Sequence, residues 1–171
     1  FESLDFASLK NVPILFVCEN NLYSVYSQLD VRQAPSRKLS LLAESHGIKS
    51  FKGDGNNIDE VSKLTKEAIN HIKTNNAPAF IELDTFRWLE HCGPNGDDDL
   101  GYRKKGELDQ WIKRDPIDFY KSRMIENQKL TEKEIIENIE VICTEIDEAF
   151  KFAKESPFPD QSILNQHIYK D

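Results

Sequence analysis

The sequence predicts an α/β fold in which parallel strands alternate with helices. Residues 13–18 and 79–86 are short apolar runs of the kind that form strands buried inside a parallel sheet. Between them, residues 58–74 place apolar side chains along one face of a helix. The connections between strands are long enough to hold a helix each, which is the pattern of βαβ units.

The other elements of this α/β part follow from local signals. Residues 1–10 carry a broad apolar helical face, which Pro13 ends. After a polar loop, residues 36–46 predict a helix with Gly47 as its C-cap. Residues 48–52 predict a short strand, and a turn follows at Gly53-Asp54-Gly55-Asn56-Asn57.

The C-terminal third changes character and predicts a loop followed by three helices. Residues 87–103 are rich in Gly, Pro, Asn and Asp, and loops of this length in compact domains are often functional. Asp115-Pro116 places Asp at an N-cap and Pro at the first helical position. Thr131 and Glu134 form a capping box ahead of a further apolar stripe. Residues 159–171 are expected to form an irregular tail.

Composition limits the classes of partner. The chain has 171 residues, with 22 basic and 30 acidic side chains and a formal net charge of -8. This balance argues against nucleic acid or an anionic membrane surface as the main partner, and no apolar stretch is long enough to span a bilayer. Three widely separated cysteines indicate reduced thiols in a cytoplasmic protein. The chain opens at Phe1 inside a predicted helix, so we expect it to be a piece of a longer protein.

Two amides end the first predicted strand. Asn20 and Asn21 follow the apolar run with no turn glycine, and open α/β sheets bind ligands just beyond the carboxyl ends of their strands. Amide oxygens are suitable ligands for a hard cation such as Mg²⁺. Asparagine also favours turns, so a purely structural role is the alternative.

The loop after the strand at residues 79–86 carries a second set of polar groups. Topology places Arg87 and His91 at the same edge of the sheet as Asn21. His91 there suits a proton carrier or an anion contact, and the alternative is a surface histidine with no role. Cys92 is poorly placed as a nucleophile for His91, because adjacent residues on an extended chain point to opposite faces.

An acidic run in the same loop imitates a calcium site. Residues 95–99 read Asn-Gly-Asp-Asp-Asp, as at the start of a calcium-binding loop. The pattern fails at Leu100 and Gly106, where such a loop requires glycine and glutamate respectively. We therefore expect a solvated acidic loop.

In combination, these segments resemble the α subunit of the thiamine-diphosphate-dependent 2-oxo acid dehydrogenases, the E1 component of pyruvate, branched-chain and acetoin dehydrogenase complexes. They occur in the family's order over essentially the whole chain. The most specific segment is the strand that ends in Glu19-Asn20-Asn21-Leu22-Tyr23. The others are Phe1-Glu2-Ser3-Leu4-Asp5-Phe6-Ala7, Arg87 with His91, Gly101-Tyr102-Arg103, Asp115-Pro116-Ile117 and His167-Ile168-Tyr169.

The resemblance implies a three-layer, parallel-sheet thiamine-diphosphate-binding fold, truncated at its N-terminus, with a C-terminal helical extension. Residues 1–103 would be the C-terminal part of the α/β domain that binds the diphosphate and Mg²⁺, including an active-site loop at residues 87–103. Residues 104–171 would be the helical extension and tail.

The resemblance also implies roles for single residues. Asn21, through its side chain, and Tyr23, through its backbone carbonyl, would bind Mg²⁺ and thereby the cofactor. Arg87 and His91 would also bind the cofactor, and His91 would be the catalytic residue. Arg87, Tyr102 and Arg103 would order the loop that positions His91.

This chain departs from the family pattern in four places, one of which is the run Gly93-Pro94-Asn95-Gly96-Asp97-Asp98-Asp99 after the histidine, which differs from the pyruvate-type loop. The family's Gly-Asp-Gly motif, whose Asp also binds Mg²⁺, would fall before Phe1. Glu90 replaces a glycine that is common before the histidine, and Cys92 replaces a serine that is phosphorylated in several members. These changes in the loop leave the identity of the substrate open.

A second Gly-Asp-Gly imitates the missing motif. Gly53-Asp54-Gly55 is followed by Asn75-Asn76, but the separation is too short. The two asparagines also follow a helix, which places them at the opposite edge of the sheet. We expect Asp54 to shape a turn and Asn57 to cap the next helix.

The implied activity of the intact protein is oxidative decarboxylation of a 2-oxo acid with acyl transfer to lipoyl. Its partners would be an E1 β subunit, in an α2β2 heterotetramer, and the lipoyl domain of an acyltransferase. The β subunit would supply the glutamate that activates the cofactor, so this chain alone should be inactive. Two alternatives stay open: a thiamine-dependent enzyme acting on a sugar-like or other keto substrate without lipoyl, and a non-catalytic α/β binding or assembly domain.

Overall fold

A computed structural model describes residues 1–166 and residue 168. The chain separates into two compact units, Phe1–Tyr120 and Lys121–Asp171. His167 and Tyr169, which contribute to the resemblance, lie outside the described residues. The predicted division between residues 103 and 104 stays a prediction.

The first unit contains the predicted alternation of helices and strands. Most predicted elements are present, with ends that shift by a few residues. A small antiparallel hairpin and a short helix lie between the first strand and α3, where the sequence predicts a polar loop; this part of the prediction is wrong. The elements are α1 (Glu2–Leu9), β1 (Leu15–Asn20), β2 (Tyr23–Ser24), β3 (Ser27–Gln28), α2 (Leu29–Arg32), α3 (Leu39–Ser45), β4 (Lys49–Asp54), α4 (Ile58–Asn75), β5 (Ala79–Asp84) and α5 (Glu107–Ile112).

Three parallel strands form the main sheet, in the order β1-β5-β4. Asn20 of β1 and Asp54 of β4 are both in register with Asp84 of β5. All three strands therefore end at one edge of the sheet. The predicted parallel sheet is confirmed.

The strands differ in burial because they differ in their neighbours. β5 lies between the other two strands, and Ile81 is 1% exposed. β1 has a strand neighbour on one side among the described residues, and Val17 is 55% exposed. The expectation that β1 is buried on both faces is therefore wrong for the part of the chain that the structure describes.

Helices cover both faces of the sheet. Ile81 and Leu83 of β5 pack with Ala68 of α4 in the main hydrophobic core. Glu82 lies between them and points to the opposite face, where its carboxylate accepts a hydrogen bond from the backbone N–H of Ser40 in α3. The sheet thus lies between α3 and α4, and the three-layer α/β architecture is confirmed.

The predicted helix caps are present. The Asn57 side chain accepts a hydrogen bond from the Glu60 N–H and begins α4. Gly47, after α3, adopts a φ of +77°, which suits its predicted role as a C-cap. Asp115 accepts hydrogen bonds from the N–H groups of Ile117 and Asp118 at the start of α6 (Pro116–Glu126).

The described residues of the second unit contain the end of α6, the long helix α7 (Glu132–Glu155) and a 3₁₀ turn at Gln161–Ile163. Thr131 and Glu134 form the predicted capping box of α7, and the helix ends before Pro157. Of the helices in the described residues, none has the length and apolar character needed to cross a membrane.

Candidate functional site

The carboxyl edge of the sheet brings several polar residues together, among them Asn20 and Asn21, which the sequence predicts at a strand end. Asn20, Asp54 and Asp84 lie side by side in register, and Asn21 follows at the end of β1. The Thr85 N–H donates to the Asn20 carbonyl at 3.0 Å, which ties the start of the next loop to β1.

The side chains of Asn20 and Asn21 have different partners. Asn20 Nδ2 donates to Glu82 Oε1 at 3.0 Å, and Asn20 Oδ1 accepts from the Leu22 N–H at 3.2 Å. Asn21 Oδ1 accepts from the Tyr23 N–H at 3.0 Å. An amide oxygen has two lone pairs, so half-buried Asn21 retains one for a further ligand.

These bonds form a tight turn, which we call the Asn21 turn (residues 20–23). Leu22 adopts a φ of +68°, an uncommon conformation for a residue with a side chain. The Leu22 carbonyl accepts a hydrogen bond from the Leu29 N–H at 2.9 Å. The turn therefore has contacts within itself and with the following helix α2.

Tyr23 is anchored through its hydroxyl group. This group donates a hydrogen bond to the Glu107 carboxylate at the start of α5. Its ring meets Phe86 and Tyr102 edge-on, with centroids 6.0 Å and 5.6 Å away. Burial and the bond to Glu107 raise the pKa of Tyr23 well above its ordinary value. Tyr23 is therefore a neutral phenol whose backbone position is restrained.

A buried aspartate holds the 87–103 loop. Asp97 is 1% exposed and accepts a hydrogen bond from the hydroxyl of Tyr102. Arg87 Nη2 lies 3.4 Å from Asp97 Oδ2, and Arg103 Nη2 lies 2.9 Å from Asp97 Oδ1. Arg103 also donates to the Arg87 carbonyl at 2.8 Å. The three residues expected to order the loop thus meet at one carboxylate.

Asp97 is buried, contrary to its predicted place in a solvated loop. The expected solvated acidic loop is wrong at this residue, although Asp98 and Asp99 beside it are exposed. The physical reason is charge balance, because two arginines drawn into the loop require a buried anion. Arg87 and Arg103, both in the loop sequence, are the signal that could have indicated a buried anionic partner.

His91 lies at the exposed tip of the same loop. The tip is closed by Glu90 and Asn95: the Glu90 N–H donates to the Asn95 carbonyl at 2.9 Å, and Asn95 Nδ2 donates to Glu90 Oε1 at 2.7 Å. Gly93 lies against the Glu90 carboxylate, where a side chain would clash. We call residues 90–95 the tip hairpin; it presents His91 and Cys92 to solvent.

Asp54 and Asn76, which imitate the metal motif, have structural roles. Asp54 Oδ1 accepts from the Asn56 N–H at 2.9 Å, and its other oxygen pairs with Arg114. Asn76 adopts a left-handed conformation at the C-cap of α4. The predicted turn at Asp54 and the helix-end position of Asn76 are confirmed.

The donors near Asn21 fit part of a Mg²⁺ site. Mg²⁺ prefers oxygen ligands and retains water and phosphate oxygens, and this turn offers an amide oxygen and backbone carbonyls. Among residues 1–166 and 168, no group of three or more His, Cys, Asp and Glu side chains could hold a metal ion. The Asn21 turn itself therefore offers neutral oxygen donors.

Comparison with known proteins gives consistent matches. The family model described as "Dehydrogenase E1 component" matches residues 1–162. The chain is 31% identical over 169 residues to the pyruvate dehydrogenase E1 component subunit alpha of Rickettsia felis, which covers 99% of this chain and 51% of that protein. It is 32% identical to the testis-specific mitochondrial form of Homo sapiens, over 98% of this chain and 42% of that protein. It is 30% identical to the chloroplastic alpha-3 form of Oryza sativa subsp. japonica, over 100% of this chain and 39% of that protein. The chain thus spans about half, or less, of the length of these curated relatives.

Proposed function

Because the chain belongs to the dehydrogenase E1 component family, we propose that the intact protein is the α-type subunit of a thiamine-diphosphate-dependent enzyme. Its reaction is the oxidative decarboxylation of a 2-oxo acid with transfer of the acyl group to lipoyl. The relatives named pyruvate dehydrogenase E1 component subunit alpha support this activity. The bound cofactor supplies a carbanion that adds to the keto carbon and a ring that accepts electrons as CO₂ leaves.

This proposal depends on the Asn21 turn. In our proposal Asn21 Oδ1 and the Tyr23 carbonyl bind the Mg²⁺ that holds the diphosphate. The observation that supports it is the difference between two neighbouring amides. Asn20 is held to the sheet through Nδ2, which donates to Glu82, whereas Asn21 bonds through Oδ1 to the Tyr23 N–H within a restrained turn, and that oxygen has a second lone pair for a metal ion.

The 87–103 loop serves the reaction centre in the same proposal. His91 binds the diphosphate and stabilises developing charge, as the catalytic residue of this chain. Arg87 contributes to cofactor binding by fixing the base of the loop, since its guanidinium contacts Val25, Asp97 and Tyr102. The exposed position of His91 on a closed hairpin is suited to a residue that meets a bound ligand.

The proposed assembly contains a second kind of subunit. An E1 β subunit supplies the glutamate that activates the cofactor, in an α2β2 heterotetramer, and the lipoyl domain of an acyltransferase accepts the acyl group. We place this assembly in the cytoplasm. Residues 1–103 form the cofactor-binding part and residues 104–171 the helical extension.

The test compares Asn21→Ala with Asp54→Ala in the intact αβ assembly. Isothermal calorimetry measures the affinity for Mg²⁺ and thiamine diphosphate. We expect Asn21→Ala to weaken binding at least tenfold, as the loss of a metal ligand should, and Asp54→Ala to leave it unchanged. The reverse result would show that the metal site is elsewhere.

The tip hairpin favours one alternative substrate class. Glu90 and Asn95, which lie in the part of the loop that departs from the family's pattern, bond to each other, and the second candidate is a thiamine-dependent enzyme acting on a sugar-like keto compound with no lipoyl acceptor. Turnover of a 2-oxo acid with lipoamide by the assembly would exclude this second candidate.

A further inference from the structure

Glu82 is a charged side chain in the middle of the sheet. It is 2% exposed and lies in register between Cys18 of β1 and Lys52 of β4. Burying a carboxylate is costly unless it is paired and hydrogen-bonded. Its position on the central strand therefore requires a compensating set of partners.

Those partners come from three different elements. Glu82 Oε1 accepts from Lys52 Nζ at 2.9 Å and from Asn20 Nδ2 at 3.0 Å. Glu82 Oε2 accepts from the Ser40 N–H at 2.9 Å. Burial alone would raise the pKa of Glu82, but the bonds from Lys52, Asn20 and Ser40 outweigh it and hold the pKa below its ordinary value. Glu82 is thus a carboxylate that accepts hydrogen bonds from all three partners.

The bond to Asn20 has a directional consequence. A carboxylate can only accept, so it determines that the NH₂ group of Asn20 faces Glu82. The Asn20 oxygen then faces the Leu22 N–H, 3.2 Å away. That contact closes the Asn21 turn, in which Asn21 Oδ1 and the Tyr23 N–H meet at 3.0 Å.

We propose that Glu82 is a positioning residue for the metal site, acting through Asn20 to hold the Asn21 turn. The inference rests on the proposed function, because it assigns Mg²⁺ binding to that turn. Glu82 does not touch the metal, and its effect passes through one hydrogen bond. Outer partners of metal ligands typically change metal affinity by about 10- to 100-fold.

The test is a double-mutant cycle in the intact αβ assembly, with Mg²⁺ affinity measured by calorimetry in the presence of thiamine diphosphate. Glu82→Met removes the acceptor, and Asn20→Ala removes the link. We expect each change to weaken Mg²⁺ binding about tenfold. The double variant should bind like Asn20→Ala alone, because both changes break one pathway. If the two losses of Mg²⁺ affinity multiplied in the double variant, the inference would be wrong.

Lys52→Met is the matched control. It removes the other side-chain partner of Glu82 but leaves the Asn20 bond, so it should lower the melting temperature and leave Mg²⁺ affinity within about twofold. If Lys52→Met weakened Mg²⁺ binding as much as Glu82→Met, Glu82 would act through general stability and the inference would fall.

Two further variants cover the case in which Glu82→Met does not assemble and separate the role of Glu82 from the location of the metal site. If Glu82→Met does not assemble, Glu82→Gln replaces it in the cycle, and its smaller loss of affinity should vanish in the Asn20→Ala background. Asn21→Ala separates the two proposals. If it leaves Mg²⁺ binding intact, the proposed metal site is wrong; if it weakens binding while Glu82 and Asn20 act independently, only the role of Glu82 is wrong.

Discussion

Asp97 neutralises two guanidinium groups at the base of the 87–103 loop. Arg87 and Arg103 approach its two oxygens, and the Tyr102 hydroxyl donates to it. Arg103 also lies over the ring of Phe86, 5.0 Å from its centroid. Removing one partner of a buried ion pair leaves the other charge without compensation, and this is far more costly than the loss of a surface pair.

We therefore expect Asp97→Ala to lower the free energy of unfolding of the full-length protein by about 3 kcal/mol. Urea denaturation followed by circular dichroism would measure the change. Asp98→Ala is the matched control, since this exposed neighbour should cost less than about 0.5 kcal/mol. Equal effects from the two variants would show that Asp97 is not the centre of a charged cluster.

Glu82 also gives stability a dependence on pH. Its pKa is lowered in the fold, because the bonds from Lys52, Asn20 and Ser40 outweigh the opposing effect of burial. A carboxyl with a lowered pKa stabilises the fold above its ordinary pKa of 4.5, and the contribution is lost as pH falls through the folded-state value. Melting temperatures of the full-length protein below pH 5 should therefore fall less steeply for Glu82→Gln than for the unmodified protein.

At the scale of elements, we expect the two bonds between Glu90 and Asn95 to order the tip hairpin. Asn95→Ala removes the side-chain bond to Glu90 and should speed amide hydrogen exchange at Glu90, whose N–H donates to the Asn95 carbonyl. Hydrogen exchange read by mass spectrometry would measure this in the intact assembly before any cofactor is added. Cys92→Ala, which changes an exposed side chain, should leave the rate unaltered. Fast exchange at Glu90 in the unmodified protein would contradict an ordered hairpin.

The elements differ in how far the sequence determines them. The central strand β5 and the helix α4 could be predicted because their apolar patterns reflect burial, and the capping box of α7 could be predicted because Thr131 and Glu134 interact locally. The hairpin formed by β2 and β3 could not, since its strands are two residues each and its turn places Val25 at a positive φ without glycine.

In the candidate site, too, local features could be predicted from the sequence and contacts between distant segments could not. The position of Asn21 at a strand end is a local feature and was accessible from the sequence. The contacts of Asn20 with Glu82, and of Arg87 with Asp97, join segments whose proximity depends on the register of β1 with β5 and on the path of the loop. Charge pairing across such distances in the chain leaves no periodic signal.

At the scale of the whole molecule, the proposed metal ligands Asn21 and Tyr23 are hard, neutral oxygen donors. The intact assembly should lose thiamine diphosphate binding when a chelator removes divalent metal, and Mg²⁺ or Mn²⁺ should restore it, because oxygen ligands suit these ions. Calorimetry with thiamine diphosphate before and after the chelator would measure the change. Asp54→Ala should behave like the unmodified protein in each step, since Asp54 is engaged with Asn56 and Arg114. Cofactor binding that survives the chelator would contradict a metal-held diphosphate, and failure to bind the cofactor under any condition would favour a non-catalytic assembly domain.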